Sequence, residues 1–364
     1  MMRIAHIVRQ FYPVKGGLEE YVFNLAQEQT LDSHEVFVYT LNKNFQDNKK
    51  LKKEEVINNI KIKRSVFFGL KKYPLTFLSI SELNKFNIIH IHGLDFFIDF
   101  LSLCKRIKIL KPKLIFTTHG LIFHTNQHSI YKKLYFNIVS KFSLKKVDQI
   151  ISISENDQKY ISSLKLNSSL IPNGARIQKF GASLGYTVNN NRFICFGRIY
   201  AHKNIDWLIN TFSEKKFSKY ELKLICPYEN EEFYKIKTMI KVSNISVSAN
   251  FSNEQILNEI SKSNFIISAS EYEGFGISII EMMSYGLIPV LNEKVPSFKK
   301  FILESKSGTC FTLNSDNLKN KISSFLKNDL IKNRENAIQY AKKYSWEDIS
   351  LKIKSLYQDN NAIK

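Results

Sequence analysis

Residues 265–281 read Phe265-Ile266-Ile267-Ser268-Ala269-Ser270-Glu271-Tyr272-Glu273-Gly274-Phe275-Gly276-Ile277-Ser278-Ile279-Ile280-Glu281. The first four residues form a short apolar, β-rich run and predict a strand over 265–268. A polar loop follows, opened by Gly274 and Gly276, which lack the Cβ that would hold a ligand away from the backbone. Apolar residues then recur at helical spacing over 277–285, and Ile288-Pro289-Val290 begins another buried run. Strand, loop, helix and strand in that order predict parallel strands joined by a helical crossover. A charged Glu281 beside apolar Ile279-Ile280 is unusual in a purely structural helix, and marks this unit as the strongest site candidate in the chain.

The same unit recurs outward in both directions. Strands are expected at 4–8, 35–40, 88–91, 113–118, 149–152 and 168–171, and again at 192–196, 222–226, 245–249, 265–268 and 288–291. Helical patterns lie among them at 18–29, 156–164, 204–212, 231–240, 253–261 and 277–285. Eleven strands exceed what one open sheet carries. The expected fold is therefore α/β, with two Rossmann-like doubly wound domains facing across a cleft. The expected domains are 1–180, 181–344 and a closing helix over 345–364 that packs back on the first domain. The boundary region carries Gly181, Gly185 and Asn189-Asn190-Asn191. Residues 1–8 read as the first strand and not as a leader, because the apolar stretch is short and lacks a small-residue cleavage site.

The chain has 364 residues, 44% of them hydrophobic, which excludes general disorder. No apolar run approaches a membrane span. Cys104, Cys195, Cys226 and Cys310 lie far apart, without a C-x-x-C or a His/Cys pair at zinc spacing, so neither a disulfide framework nor a zinc site is expected. The net charge of +20 is uneven. Residues 100–147 hold ten Lys or Arg and no acidic residue, with Lys105, Arg106, Lys132, Lys133, Lys145 and Lys146 interleaved with aromatics. A second basic run covers 43–72. A plain lysine-rich surface and nucleic-acid binding compete with an anionic membrane surface as readings. The recurrence of Ile130, Leu134, Ile138 and Phe142 every four residues favours the membrane, although a core-facing helix looks similar. No recognised nucleic-acid module is present, and no nucleic-acid partner is expected.

Four further motifs sit at strand-to-loop junctions, where doubly wound sheets bind ligands. Gly16-Gly17 opens the first helix and suits either a phosphate or a plain turn. Gly197-Arg198 with Lys203-Asn204 offers a guanidinium and an ammonium, fit for a diphosphate or a solvated loop. Thr117-Thr118-His119-Gly120 puts a histidine at a strand end. Ile171-Pro172-Asn173-Gly174 reads as a turn beside the hinge. Neither G-x-G-x-x-G nor a Walker loop occurs.

Taken together, Gly16-Gly17, Ile171-Pro172-Asn173-Gly174, Gly197-Arg198 with Lys203-Asn204, and Glu273 eight positions before Glu281 resemble the retaining nucleotide-sugar glycosyltransferases of family 4, in that family's order and spacing. The closing Tyr344-Ser345-Trp346-Glu347 resembles its C-terminal helix. The resemblance implies the GT-B fold and a metal-independent, retaining hexosyltransferase. It implies that Arg198 and Lys203 hold the diphosphate and stabilise it as it leaves. It gives Gly17, next to Gly16, a backbone N–H on the distal phosphate. Glu281 is implied at the ribose, and Glu273 with the amides of Gly274, Phe275 and Gly276 at the donor sugar. His119 is implied near sugar and acceptor. The implied catalytic set is His119, Glu273, Arg198 and Lys203. Asn204 departs from the family, where Gly is common, and Tyr200-Ala201-His202 is a less common loop. No metal or cofactor is expected, since Asp-x-Asp is absent and fixed positive groups can replace a metal at a leaving diphosphate. The eight-residue separation of Glu273 and Glu281 would be about 12 Å along a helix, too far for an acid/nucleophile pair.

Similarity to bacterial exopolysaccharide mannosyltransferases makes GDP-mannose the first expectation for the donor and UDP-sugars the second. It also points to a polyprenyl-diphosphate-linked glycan as acceptor, at the cytoplasmic face of the cell membrane. A GT-B sugar-nucleotide epimerase and a basic nucleic-acid-binding protein are the alternatives.

Overall fold

Along Arg3–Ile7, Ala5 and Ile7 point to one face of the sheet and Ile4 and His6 to the other, the period of two that a strand imposes. Both faces are buried, as expected for a strand inside a parallel sheet. The computed structural model describes residues 1–14, 16–45, 47–71, 73–120, 135–177, 191–273 and 275–359. The chain divides into two compact units, Met1–Gly174 with Trp346–Lys364, and Ala175–Ser345.

The first unit contains β1 (Arg3–Ile7), β2 (Glu35–Leu41), β3 (Glu54–Ile57), β4 (Ile60–Ser65), β5 (Phe67–Leu70), β6 (Tyr73–Thr76), β7 (Ile88–His92), β8 (Lys113–Thr117), β9 (Gln149–Ser152) and β10 (Ser169–Leu170). Its main sheet has the order β10-β9-β8-β7-β1-β2-β4-β3, and β5 and β6 form a separate two-stranded sheet. Among the described residues the strand pairings in that sheet are parallel except β3 with β4. One face packs Ile7, Ile89, Phe97, Leu101 and Phe116 together. The other packs Ile4, Leu25, Val38 and Ile115 against Ile349 and Ile353 of the helix Trp346–Gln358. That last helix belongs to the first unit although it closes the sequence.

The second unit contains β11 (Arg192–Phe196), β12 (Glu221–Cys226), β13 (Ile245–Ala249), β14 (Phe265–Ser268), β15 (Ile288–Asn292) and β16 (Thr309–Phe311). They form a parallel sheet in the order β13-β12-β11-β14-β15-β16. Strand three, two, one, four, five, six is the doubly wound Rossmann order, and the first unit repeats it around β1 and β7. Two such doubly wound units in one chain make the GT-B fold.

The division between units falls at Gly174, earlier than position 180. Two contacts pin it there. A Cβ on Gly174 would lie 2.4 Å from the Trp346 ring, so only glycine fits. The Ala175 N–H donates to the Tyr344 carbonyl at 2.8 Å. Most of the expected linker, 178–190, lies outside the described residues.

Candidate functional site

The loops that follow β11 and β14 carry the two strongest motifs, and those strands are neighbours. The chain leaves β11 towards β12 and β14 towards β15, in opposite directions, so the sheet's switch point lies between them. After β11, Gly197 has φ +134, a conformation closed to most side chains. Arg198 is exposed, with Nη1 3.5 Å from the Tyr200 hydroxyl. A 3-10 turn, Ala201–Lys203, then leads into the helix Ile205–Ser213 through Asn204. Asn204 is left-handed, at φ 50 and ψ 43. Glycine takes that conformation freely and asparagine is among the few residues that tolerate it, which accounts for Asn at a position where the family favours Gly. Its Nδ2 donates to the Ala269 carbonyl at 3.1 Å, and the Glu271 N–H donates to the His202 carbonyl at 2.8 Å. Those bonds stitch the two loops together.

Lys203 Nζ lies 3.0 Å from Glu273 Oε1, with side chains 17% and 18% exposed. The Ser270 hydroxyl donates to the same oxygen at 2.9 Å, and Ser268 donates to Ser270 at 3.0 Å. The carboxylate is thus aimed by two donors from opposite loops. The helix Ile277–Ser284 starts after Gly276, which has φ 97 and no room for a Cβ beside Phe298. Glu281, on that helix, accepts from the Arg176 N–H at 3.2 Å. The Phe275 ring packs 5.3 Å from Phe301 and from Tyr344, so only its backbone is left for a ligand. Gly274 lies outside the described residues. Cys195 and Cys226 line a narrow recess with Gly197, Arg198 and Lys203. Burial pushes their thiols up to about 12 and about 11, so neither is a thiolate at neutral pH.

In the first unit, the helix Gly17–Leu31 opens on Gly16 and Gly17. Space around Gly17 is open, whereas a Cβ on Gly16 would overlap the Glu19 carboxylate. Burial raises the Glu19 carboxyl above its usual range. His119 follows β8 with φ 48 and is partly exposed. Asp157 holds that turn, accepting from the Thr118 hydroxyl at 2.5 Å and the Gly120 N–H at 2.9 Å. The Tyr21 ring meets the His119 ring edge-on at 4.5 Å. Burial lowers the His119 imidazole to about 3, so the ring is neutral at pH 7.

Register brings together residues that sequence reasoning missed. His6 pairs with His90 and His92 with Thr117 across the sheet. His6, His90 and His92 are buried, with ligand-type nitrogens within 4.8 Å of one another. All six of those nitrogens already have a hydrogen-bonding partner, so a metal ion there would have to break existing bonds. The readable signal was the alternation His90-Ile91-His92, which sends both rings to one face. Ser268, Ser270 and Asp157 carried no comparable signal.

Of the basic residues expected at a membrane, Lys145 and Lys146 are exposed. Lys105 is committed within the fold, 2.9 Å from Asp148 and donating to the Pro112 carbonyl at 2.6 Å. Arg106 lies over the Phe142 ring at 3.6 Å. Lys132, Lys133, Ile130 and Leu134 lie outside the described residues. Ile138 and Phe142, from the expected stripe, are 60% and 52% exposed and do not face the core. Among the described residues, no helix is long and apolar enough to cross a membrane.

Two glycosyltransferase families match residues 15–361 between them. Residues 15–179 match Glycosyltransferase Family 4, and residues 178–361 match Glycosyl transferases group 1. The chain belongs to these glycosyltransferases. A relative from Xanthomonas oryzae pv. oryzae, a GDP-mannose:cellobiosyl-diphosphopolyprenol alpha-mannosyltransferase, is 30% identical over 98% of this chain and 97% of its own. One of the same description from Komagataeibacter xylinus is 26% identical over 98% and 93%. Among solved structures, a glycosyltransferase from Rickettsia africae superposes with a TM-score of 0.72 at 18% identity, covering 98% of both chains. The sucrose-phosphate synthase of Thermosynechococcus elongatus gives 0.69 at 18% identity, also covering 98% of both.

Proposed function

We propose that this glycosyltransferase moves mannose from GDP-mannose to a polyprenyl-diphosphate-linked oligosaccharide, with retention and without a metal. The observation that carries the reading is the Lys203–Glu273 pair at the β11/β14 switch point, beside Arg198 and the start of the helix Ile277–Ser284. The donor and acceptor classes are supported by what the curated relatives are named for. Glycosyl transfer develops positive charge on the sugar and negative charge on the departing diphosphate. Arg198 and Lys203 neutralise the diphosphate as the bond breaks, a role a divalent cation fills elsewhere. Glu273, aimed by Ser270 and Lys203, hydrogen-bonds the sugar with the amides of Gly274, Phe275 and Gly276. Glu281 takes the ribose hydroxyls. In the first unit, Gly17 offers its N–H to a phosphate, and neutral His119 meets a sugar hydroxyl.

The acceptor is a lipid, so the protein works at the cytoplasmic surface of a membrane. Exposed Ile138, Val139 and Phe142 beside exposed Lys145 and Lys146 support that placement. Apolar side chains enter the headgroup boundary while lysines meet anionic lipid.

Thermal unfolding with GDP, UDP, ADP and CDP, each with EDTA, tests the donor. A ligand at about 100 Kd stabilises by about 2.7 kcal/mol. The reading predicts the largest shift with GDP, undiminished by EDTA. A shift with UDP alone would replace the donor and keep the family, and a shift abolished by EDTA would overturn metal independence. No shift with any nucleotide would remove the switch point as a donor site.

A further inference from the structure

Gln29 is 2% exposed and sits where two hydrogen-bond chains meet. The two ends of its amide are not equivalent, because Oε1 only accepts and Nε2 only donates. Oε1 lies 2.7 Å from His6 Nε2, so His6 carries its proton on Nε2. Burial lowers His6 to about 4 and His92 well below the usual histidine range, and the rings are neutral at pH 7. Neutral His6 therefore has a bare Nδ1, which must accept from His92 Nε2 at 2.9 Å. His92 in turn has a bare Nδ1, 3.0 Å from His119 Nε2. His119 must supply the proton of that bond. On the other side, Gln29 Nε2 donates to the Tyr357 hydroxyl at 3.0 Å. The hydroxyl proton is then directed at His90 Nδ1, 2.7 Å away, and His90 Nε2–H at the Thr117 hydroxyl, also 2.7 Å. Every proton in the network runs one way, and the amide of Gln29 sets the direction.

We propose that Gln29 is a positioning residue that fixes His119 as the Nε2–H tautomer, leaving a lone pair on Nδ1, through the buried chain Gln29–His6–His92–His119. His119 is then built to accept a hydrogen bond from a substrate hydroxyl and not to donate one. This use of His119 rests on the glycosyltransferase reading above; the tautomer itself does not. The helix Trp346–Gln358 enters the network through Tyr357, so a residue near the end of the sequence holds the same amide that orients a turn after β8. A wrong tautomer would place a donor where an acceptor is needed, and a directional network suppresses it more firmly than separate bonds would.

Ring-nitrogen NMR on the full chain with 15N-labelled histidine tests the proposal at pH 7.5, without substrate. The expected result is His119 protonated on Nε2 alone, joined to His92. With the Gln29 amide reversed, every proton would move to the other nitrogen, so His119 found as Nδ1–H in the unaltered protein overturns the proposal, whatever any variant does. Gln29→Leu removes the polarity and is expected to give His119 as a mixture, with kcat about tenfold lower and KM for the nucleotide sugar unchanged. Gln29→Glu, whose carboxylate still accepts from His6, is expected to keep Nε2–H. An unchanged tautomer in Gln29→Leu would also overturn the role of Gln29. If the tautomers come out as expected but no nucleotide sugar is turned over, the functional reading fails and the network stands.

Discussion

Lys203 and Glu273 are each less than one-fifth exposed and share one oxygen with Ser270. Hydrogen bonds to charged groups contribute about 1.5–3 kcal/mol, which is roughly 10- to 100-fold in affinity. Lys203→Ala is therefore expected to weaken nucleotide binding roughly 10- to 100-fold, and titration calorimetry would read it. Glu273→Gln should lower turnover more than nucleotide affinity, and the reverse pattern would reassign the two. Asp95 is buried at the start of the helix Phe96–Arg106, where it accepts from the Phe97 N–H at 2.9 Å. Burial raises its carboxyl from 3.8 to about 7, despite Arg9 nearby. The folded state holds this proton more tightly than the unfolded chain. Its contribution to stability is present below pH 3.8 and is lost as pH rises through about 7. Asp95→Asn, which still caps the helix, should gain more stability at pH 8 than at pH 4.5, and urea unfolding at the two values checks it.

At the scale of elements, the strands and helices around the site were legible because apolar runs and helical patterns alternate sharply there. β3, β4 and β16 were not. Lys61, Lys63 and Arg64 made the 43–72 stretch look like a solvated charge run. Yet Ile60 and Ile62 are buried, and Lys61 Nζ lies 5.0 Å from the Phe37 ring. The turn was readable: Asn58-Asn59 has φ 48 and 64, the two positive values of a tight hairpin. β16 has only three residues, too few for a period to register. Of the site, the motif residues were legible through type and spacing. The histidine network was hidden because its histidines come from β1, β7 and the turn after β8, and Gln29 and Tyr357 from two helices, so that only strand register and helix packing join them. The segment Phe136–Leu144 also carries a consequence. Phe142→Asp should weaken binding to vesicles containing anionic lipid and leave nucleotide binding intact, since Phe142 is 52% exposed and belongs to the first unit, whereas Arg198 and Lys203 belong to the second. Vesicle flotation at low and at 0.5 M salt separates the apolar part from the lysine part, because salt screens only the latter. Unaltered flotation at both salts would remove this face from the membrane.

At the scale of the whole molecule, two sheets with the same winding each put motif-bearing loops at the carboxyl edge, and the second holds the Lys203–Glu273 ion pair there. The net charge of +20 describes the surface and its partners, while the proposed chemistry rests on a few groups in the loops after β11 and β14. The most direct test supplies GDP-mannose and a polyprenyl-diphosphate-linked disaccharide to the purified protein in the presence of EDTA, and follows mannose into the lipid fraction. The account predicts transfer with the anomeric configuration kept, no loss with EDTA, and a large loss in Lys203→Ala. Transfer with inverted configuration, or full activity in Lys203→Ala, would contradict it.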